Sequence, residues 1–382
     1  MRQKVVWFVL GVLVGSLFFA SAYPTGNNVQ HVAPAIQKLS GSDYTTLLLY
    51  TPNGLPLDVK EVQKVVQEFV LKSAPNAKWH VYAVPELPKD AVLTGYGIKV
   101  TKDGRIDVLV LATRKGVPVK PLEIKDELLK WSKEKPQFKE DVPVGGKIGV
   151  PEGWKAKTVD SSGNVKVYSG ESEPYWHEIG SSTIHNEYPP AGNIYARTYF
   201  YSLENDNDPQ RDYFLVASGP NGEGVYEIDP GYGLWHNGNY KYDTYHTDTA
   251  KIINRWGLDS SIDPLLEVVK PFNTIYGHTS ETVQIGYSPF ISFTLTVPDS
   301  KIIPVPDRST QVATWILEFN SDSDDAKFTF GTMVASEGSV SQSKFHDGNW
   351  HDIVDITLWA RFRKHWYYHY DVQAGVKWSL KG

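Results

Sequence analysis

Five consecutive residues, Glu204-Asn205-Asp206-Asn207-Asp208, form the densest run of oxygen ligands in the chain. Ca²⁺ takes about six to eight oxygens, and acidic residues alternating along a loop can wrap it. Glu204, Asp206 and Asp208 are therefore the expected metal ligands, with calcium the expected ion. The run lacks the glycine at position six and the glutamate at position twelve of an EF-hand loop, and a solvated turn rich in Asn and Asp is the competing reading. A second set lies in Asp229–His246, where Trp235, His236, Tyr240, Tyr242 and Tyr245 stand among Gly and Asn. Glycines break regular structure, so a long loop is predicted. Rings on such a loop can stack on sugar faces with Asn, Asp and His as hydrogen-bond partners. These five are the expected ligand-binding residues, and a glycan or other cell-envelope component is the expected partner. Aromatics capping a core are the competing reading.

Acid/base chemistry has weaker candidates. Glu171, Glu173, Glu178 and Glu187 sit near Trp176 and His177, and a retaining glycosidase needs two carboxylates about 5–5.5 Å apart. His365 and His369 would share a helix face, but the surrounding alternation indicates a strand, on which four residues span about 13 Å. That is too far for one Zn²⁺ with ligands at about 2.0–2.1 Å. His346, Asp347, His351 and Asp352 make a looser cluster. The nucleophile elbow, H-E-x-x-H, Walker A and the dinucleotide fingerprint are absent. With no cysteine, thiol chemistry is excluded. No catalytic residue is assigned.

Behind these candidates stands a scaffold whose best-specified part is Ile353–Leu380. Even positions from Ile356 to Leu380 are apolar except Lys364, and odd positions are mostly polar. Period two predicts paired strands with one greasy face, and Arg363-Lys364-His365 is the expected turn or bulge because the stretch exceeds the usual strand length of roughly 3–10. An apolar face that rich in rings needs an opposing layer.

Earlier in the chain, Tyr44–Tyr50 reads as a strand. A helix from Asp58 to about Lys72 follows, with Asp58 as cap and Val62, Val66, Phe69 and Val70 at helical spacing. Strands are expected at Trp79–Val84, Gly97–Thr101 and Arg105–Thr113, the last two joined at Asp103-Gly104, and a second helix at Leu122–Lys133. The order suggests one sheet with both helices on the same face. The Pro/Gly-rich stretch 141–157 is the expected boundary. Beyond it a helix at Thr249–Trp256 is the exception among short strands, including Val165–Tyr168, Asn193–Leu203, Asp212–Ser218, Thr282–Tyr287, Phe290–Val297, Val312–Asn320 and Lys327–Val334. The predicted organisation is a signal peptide (1–22), a linker (23–42), a small α+β domain (43–140), a linker (141–157) and an all-β antiparallel sandwich-like domain (158–382).

The compartment follows from the first residues. Arg2 and Lys4 precede an apolar run from Val5 to Phe19, and Ala20-Ser21-Ala22 supplies a cleavage site. Secretion is expected, with retention at the cell surface if the segment stays, and no span after its removal. Losing Arg2 and Lys4 takes the formal net charge from −6 to −8, which argues against nucleic-acid and anionic-membrane partners. An exported chain without disulfides must be held by burial alone. Thr282–Val297, Trp315, Leu203–Ala217 and the terminal Trp/Tyr strands loosely resemble secreted archaeal β-rich exoproteins of unassigned function. The resemblance implies secretion and β structure over the C-terminal part, and no activity.

The sequence thus points to an exported, non-catalytic, extracellular or cell-surface binding or structural protein that contacts glycans. A secreted polysaccharide hydrolase, with its site in the loops Glu171–His185 and Asp229–His246, is the first alternative. The second is a pore-forming or self-assembling β protein, because Thr279–Val297 and Val334–Ser343 are Ser/Thr-rich and amphipathic and edge strands can join copies. Pro289 marks an edge or bulge within the first of these.

Overall fold

The computed structural model describes residues 34–138, 141–143, 157–159, 165–167, 174–217, 226–230, 235–236, 239–240, 245–277, 279–284, 292–365 and 367–382. Leu47, Leu48 and Leu49 are all fully buried, which requires their strand, Tyr44–Tyr50, to be covered on both faces. Leu47 and Leu49 pack in one cluster with Val62, Val66, Phe69 and Val70 of the first helix, Val59–Ser73. Leu48 packs in another with Leu109, Leu111 and Leu128 of the second helix, Pro121–Lys133. The two helices therefore lie on opposite faces, contrary to the one-face expectation. Asp58 Oδ1 caps the first by accepting from the Lys60 and Glu61 amides at 2.8 and 3.1 Å. Close approach of the second helix depends on Gly97, where a Cβ would stand 2.6 Å from the Trp131 ring.

Strands dominate the rest. The large sheet runs in the order Ala35–Ser40, Tyr44–Tyr50, Ala91–Thr101, Ile106–Arg114, Tyr175–Tyr188, Gly192–Glu204, Arg211–Ala217, Ala335–Ser341, Leu265–Lys270. Its pairs are antiparallel except Ile106–Arg114 against Tyr175–Tyr188, which is parallel. The smaller sheet runs Ile275–Tyr276, Lys301–Asp307, Val312–Glu318, His246–Arg255, Trp350–His365, Tyr368–Lys381, His80–Pro85. The two sheets stack through one shared core. Trp378 lies at that seam, its ring 5.1 Å from Phe200, and it fits because Gly180 carries no side chain: a Cβ there would stand 2.7 Å from the indole. The α+β start and the antiparallel, sandwich-like remainder match the expected fold class.

The C-terminal pair keeps the predicted alternation. Ile356, Leu358, Ala360, Phe362, Val372, Ala374, Val376, Trp378 and Leu380 are all buried, while Tyr368 near the turn is 43% exposed. A bulge falls between Arg363 and His365, and the chain reverses just after it, so that His365 pairs with Tyr368 and Arg363 with His369. The two histidines therefore sit on opposite arms of the hairpin rather than along one strand.

Several expectations are corrected. The linker placed at 23–42 contains the strand Ala35–Ser40, whose register with Tyr44–Tyr50 runs from Ala35↔Tyr50 to Ser40↔Thr45. Strands from both sides of the 141–157 stretch share the large sheet, His80–Pro85 pairs with the last strand, and residues 33–382 form one compact unit. The helix read at Thr249–Trp256 is part of the strand His246–Arg255: Ala250, Ile252 and Asn254 are buried in alternation, a period-two signal that the short window hid. The stretch 327–334 holds only the short strand Phe330–Thr332, after a one-turn helix Asp324–Lys327. The signal segment lies outside the described residues. Among those described, no helix is long and apolar enough to cross a membrane.

Candidate functional site

A cleft of about 160 Å³ opens where Lys78-Trp79 leads into the strand His80–Pro85, beside the Asp103-Gly104-Arg105 turn, Asp141, Tyr175, His177 and Glu204. Gly104 has φ +94°, and a Cβ there would meet Ala77 at 2.4 Å, so this hairpin turn requires glycine. Glu204 ends the strand Gly192–Glu204 with its side chain 8% exposed. The indole N–H of Trp79 and the hydroxyl of Ser202 donate to its Oε1 at 2.8 and 2.7 Å, and the Lys78 ammonium donates to Oε2. Burial alone would raise the carboxyl pKa, but the donors from Lys78, Trp79 and Ser202 outweigh it and hold the group below its usual range. Tyr175 is pushed up, by burial first and then by Glu204 and Asp141. His177 Nδ1 lies 2.6 Å from Asp141 Oδ1, and Arg105 pairs with Asp103 at 2.8 Å while covering the Phe138 ring at 4.6 Å. Each charge has a counter-charge, so the cleft can offer fixed hydrogen-bonding groups to a polar ligand.

The acidic run expected to hold calcium is bonded within the protein. Glu204 is committed inward, to Lys78 and Trp79. Asp206 Oδ1 accepts from the Asp208 amide at 3.2 Å, and Asp208 accepts from the Gln210 amide at 3.0 Å and the Tyr213 hydroxyl at 3.0 Å, the bonding of an Asx-turn loop. Among the described residues no group of three or more His, Asp or Glu side chains is placed to hold a metal ion.

Of the aromatic set, Tyr245 is 2% exposed, its ring 5.9 Å from Tyr370 and 6.3 Å from Tyr368. It caps the core rather than facing solvent. Trp235–His236 pairs with Asn239–Tyr240 in a two-stranded ribbon. The side chains of Trp235, His236 and Tyr240, and all of Tyr242, lie outside the described residues.

The stretch read as a catalytic loop, Glu171–His185, is mostly the strand Tyr175–Tyr188. Glu178 is fully buried within it, and Glu187, farther along, lines a second cleft of about 240 Å³ with Glu127, His185 and Lys120. Nine residues along one strand separate two positions by about 30 Å, so Glu178 and Glu187 cannot flank one glycosidic bond. Glu171 and Glu173 lie outside the described residues. Burial raises the Glu127 pKa, with Glu187 adding to the rise and His185 opposing it.

The cleft residues Lys78, Trp79, Asp103, Arg105 and Asp141 went unflagged in the sequence. They come from separate strand ends, and only the Asp-Gly turn left a local signal.

One further element stands apart. Among the described residues, Thr279–Gln284 and Ser292–Val297 pair with each other and with neither large sheet. Their register sets Thr279↔Val297, Glu281↔Leu295 and Val283↔Phe293 in alternation with Ser280↔Thr296, Thr282↔Thr294 and Gln284↔Ser292. Alternate pairs share a face; of the described side chains, Ser280 and Thr296 belong to one set and Leu295 and Val297 to the other. Leu295 and Val297 are fully buried, Ser280 is exposed, and Thr332 Oγ1 donates to the Thr296 carbonyl at 2.7 Å, tying the ribbon to its neighbour.

No family profile matches the chain, and no curated protein matches it. Among solved structures it has a likeness to the Clostridium perfringens NetB toxin in the membrane-inserted form, at 8% identity over 52% of this chain and 95% of that chain, with a TM-score of 0.26. A likeness at that level carries no argument, and the functional reading rests on this chain's own residues.

Proposed function

We propose that the protein is exported and acts by contact with a surface outside the cell, without turnover, and that this surface is a lipid bilayer entered by hairpins 279–297 from several copies. The observation that carries the reading is a hairpin whose sequence alternates Ser, Thr and Gln with mainly apolar residues and whose described strands pair with neither large sheet. A membrane strand needs about 9–11 residues; the described arms, Thr279–Gln284 and Ser292–Val297, are six residues each and would have to lengthen into the residues between them on insertion. One hairpin cannot cross alone, because its edges would leave backbone groups unpaired in lipid; a closed ring from several copies satisfies them, with the Ser/Thr/Gln face toward water and the apolar face toward lipid. The negative net charge favours neutral over anionic vesicles.

The chain has no cysteine, so Phe293→Cys gives a single labelling site for an environment-sensitive fluorophore. Added to zwitterionic liposomes, the labelled protein should move its probe into an apolar setting while the unlabelled protein releases an entrapped dye. Absence of both, with the protein folded, would sink the proposal.

Adhesion without insertion is the second reading. It is favoured by Tyr367 and Tyr368, 67% and 43% exposed at the tip of the C-terminal hairpin, where rings of that kind suit a sugar face. Retention on a polysaccharide column that is lost in Tyr367→Ala, with no dye release, would select it.

A further inference from the structure

His351 is the second residue of the strand Trp350–His365, its side chain only 6% exposed, with Nδ1 2.8 Å from Asp259 Oδ2 and Nε2 2.9 Å from Asp347 Oδ1. A neutral imidazole has one N–H and one lone pair, so it can satisfy only one of two facing carboxylates. Both carboxylates already act as acceptors elsewhere. Asp259 Oδ1 takes the Ser261 amide at 2.9 Å, and Asp347 takes the Asn349 amide at 2.8 Å and its side-chain amide at 2.9 Å. That pattern belongs to ionised groups, which leaves the second proton on the ring.

We propose that His351 is a histidinium latch that fastens two turns, 259–262 and 342–347, to the start of the C-terminal hairpin, and that the latch opens when the ring loses its second proton. The turns it joins carry core contacts. Asp259 caps the 3₁₀ turn Ser260–Ile262, whose Ile262 is fully buried. Asp347 follows the short helix Gln342–Phe345, and Phe345, also fully buried, lies 5.7 Å from the His351 ring and 6.0 Å from Trp79. The charged groups facing the ring are Asp259 from the 3₁₀ turn and Asp347 from the turn after the short helix. Neighbouring His346 is directed instead to Asp212 of the strand Arg211–Ala217, at 3.1 Å, within the field of Lys78.

Burial, the largest influence, would lower the His351 pKa, but the bonds to Asp259 and Asp347 outweigh it and raise the value. Asp347 is held down to about 2, first by Asn349 and then by His351. For a raised histidine, the stabilisation is complete below the ordinary value of about 6.5 and disappears as pH climbs through the raised one. The latch therefore holds below the raised value and loosens as pH climbs through it.

Long-range proton–nitrogen NMR on the full chain tests this directly. Both ring nitrogens of His351 should carry protons at neutral pH, and the titration midpoint should lie above that of an exposed histidine in the same protein. Asp347→Asn removes one carboxylate without disturbing the other and should bring the midpoint down by roughly one unit. In the wild type, amide hydrogen exchange at 259–262 and 345–351 should quicken above the midpoint beyond the ordinary rise seen in other loops. A single neutral tautomer at neutral pH, or a midpoint unmoved in Asp347→Asn, would overturn the latch. The wild-type titration stands even if His351→Gln does not fold.

Discussion

Two hairpins of this protein have the same pattern and different fates. The C-terminal one, Trp350–His365 with Tyr368–Lys381, alternates apolar and polar residues, and so does Thr279–Gln284 with Ser292–Val297. The first is flanked by His246–Arg255 on one side and His80–Pro85 on the other, and its greasy side is roofed by the large sheet through Phe200 and Gly180. The second, among the described residues, is hydrogen-bonded in a sheet to no strand beyond its own two arms, although Leu295 and Val297 are buried in the same core. Alternation specifies a two-faced ribbon, and what differs between the two is whether flanking strands pair with its edges. The polar faces differ as well. The scaffold hairpin carries fixed ion pairs, Asp355 with Arg255 and Arg361 with Asp371, whereas the described polar residues of the other, Ser280 and Thr296, are uncharged.

That contrast can be broken by substitution. Trp378→Ala should cost about 3–5 kcal/mol in denaturant unfolding, the range for a buried large ring; a variant as stable as wild type would mean the C-terminal face is no core. Arg255→Met comes next. It leaves the Asp355 carboxylate, whose side chain is 10% exposed, without its cation, at a cost of about 3–5 kcal/mol. Burial already raises the Asp355 pKa despite Arg255, so folding disfavours its ionised form, and the variant's deficit should grow as pH rises from the acid range to neutrality. Thermal melts at several pH values check the slope. Trp378→Phe should cost under about 1.5 kcal/mol, because the lost indole N–H has no acceptor among the described residues. On the 279–297 hairpin, Val283→Asp should abolish dye release while costing less in denaturant unfolding than Trp378→Ala does. Equal losses of folding and release would erase the distinction between the two ribbons. Smallest of all, Arg361→Ala should cost about 0.2–1 kcal/mol, since its pairing with Asp371 is exposed.

Much of the scaffold could be read from spacing. The cap at Asp58, the Asp-Gly turn and the C-terminal alternation are local signals, and each marks its element to within a few residues. What escaped was set by distant partners. The strand Tyr175–Tyr188 looked like a loop because its glutamates, serines and histidines hide a strand buried between Ile106–Arg114 and Gly192–Glu204, and the helices were expected on one face because nothing local to Leu47-Leu48-Leu49 names the elements that cover it. Site residues were less legible still. Glu204 reads as a metal ligand until Lys78, Trp79 and Ser202 are seen around it. Tyr245 reads as a sugar platform until Tyr368 and Tyr370 close over it. His351 was noticed only as part of a cluster, because the aspartate that completes its clamp lies 92 residues earlier.

The pairing of His80–Pro85 with the final strand, in the register Val81↔Leu380 and Ala83↔Trp378, has a bearing on biogenesis. An early segment whose hydrogen-bonding mate lies about 300 residues later must wait, with its edge open, until that mate has been made. Until then the smaller sheet cannot close. A product truncated before Val376 would lack the mate altogether and leave that edge open to proteases.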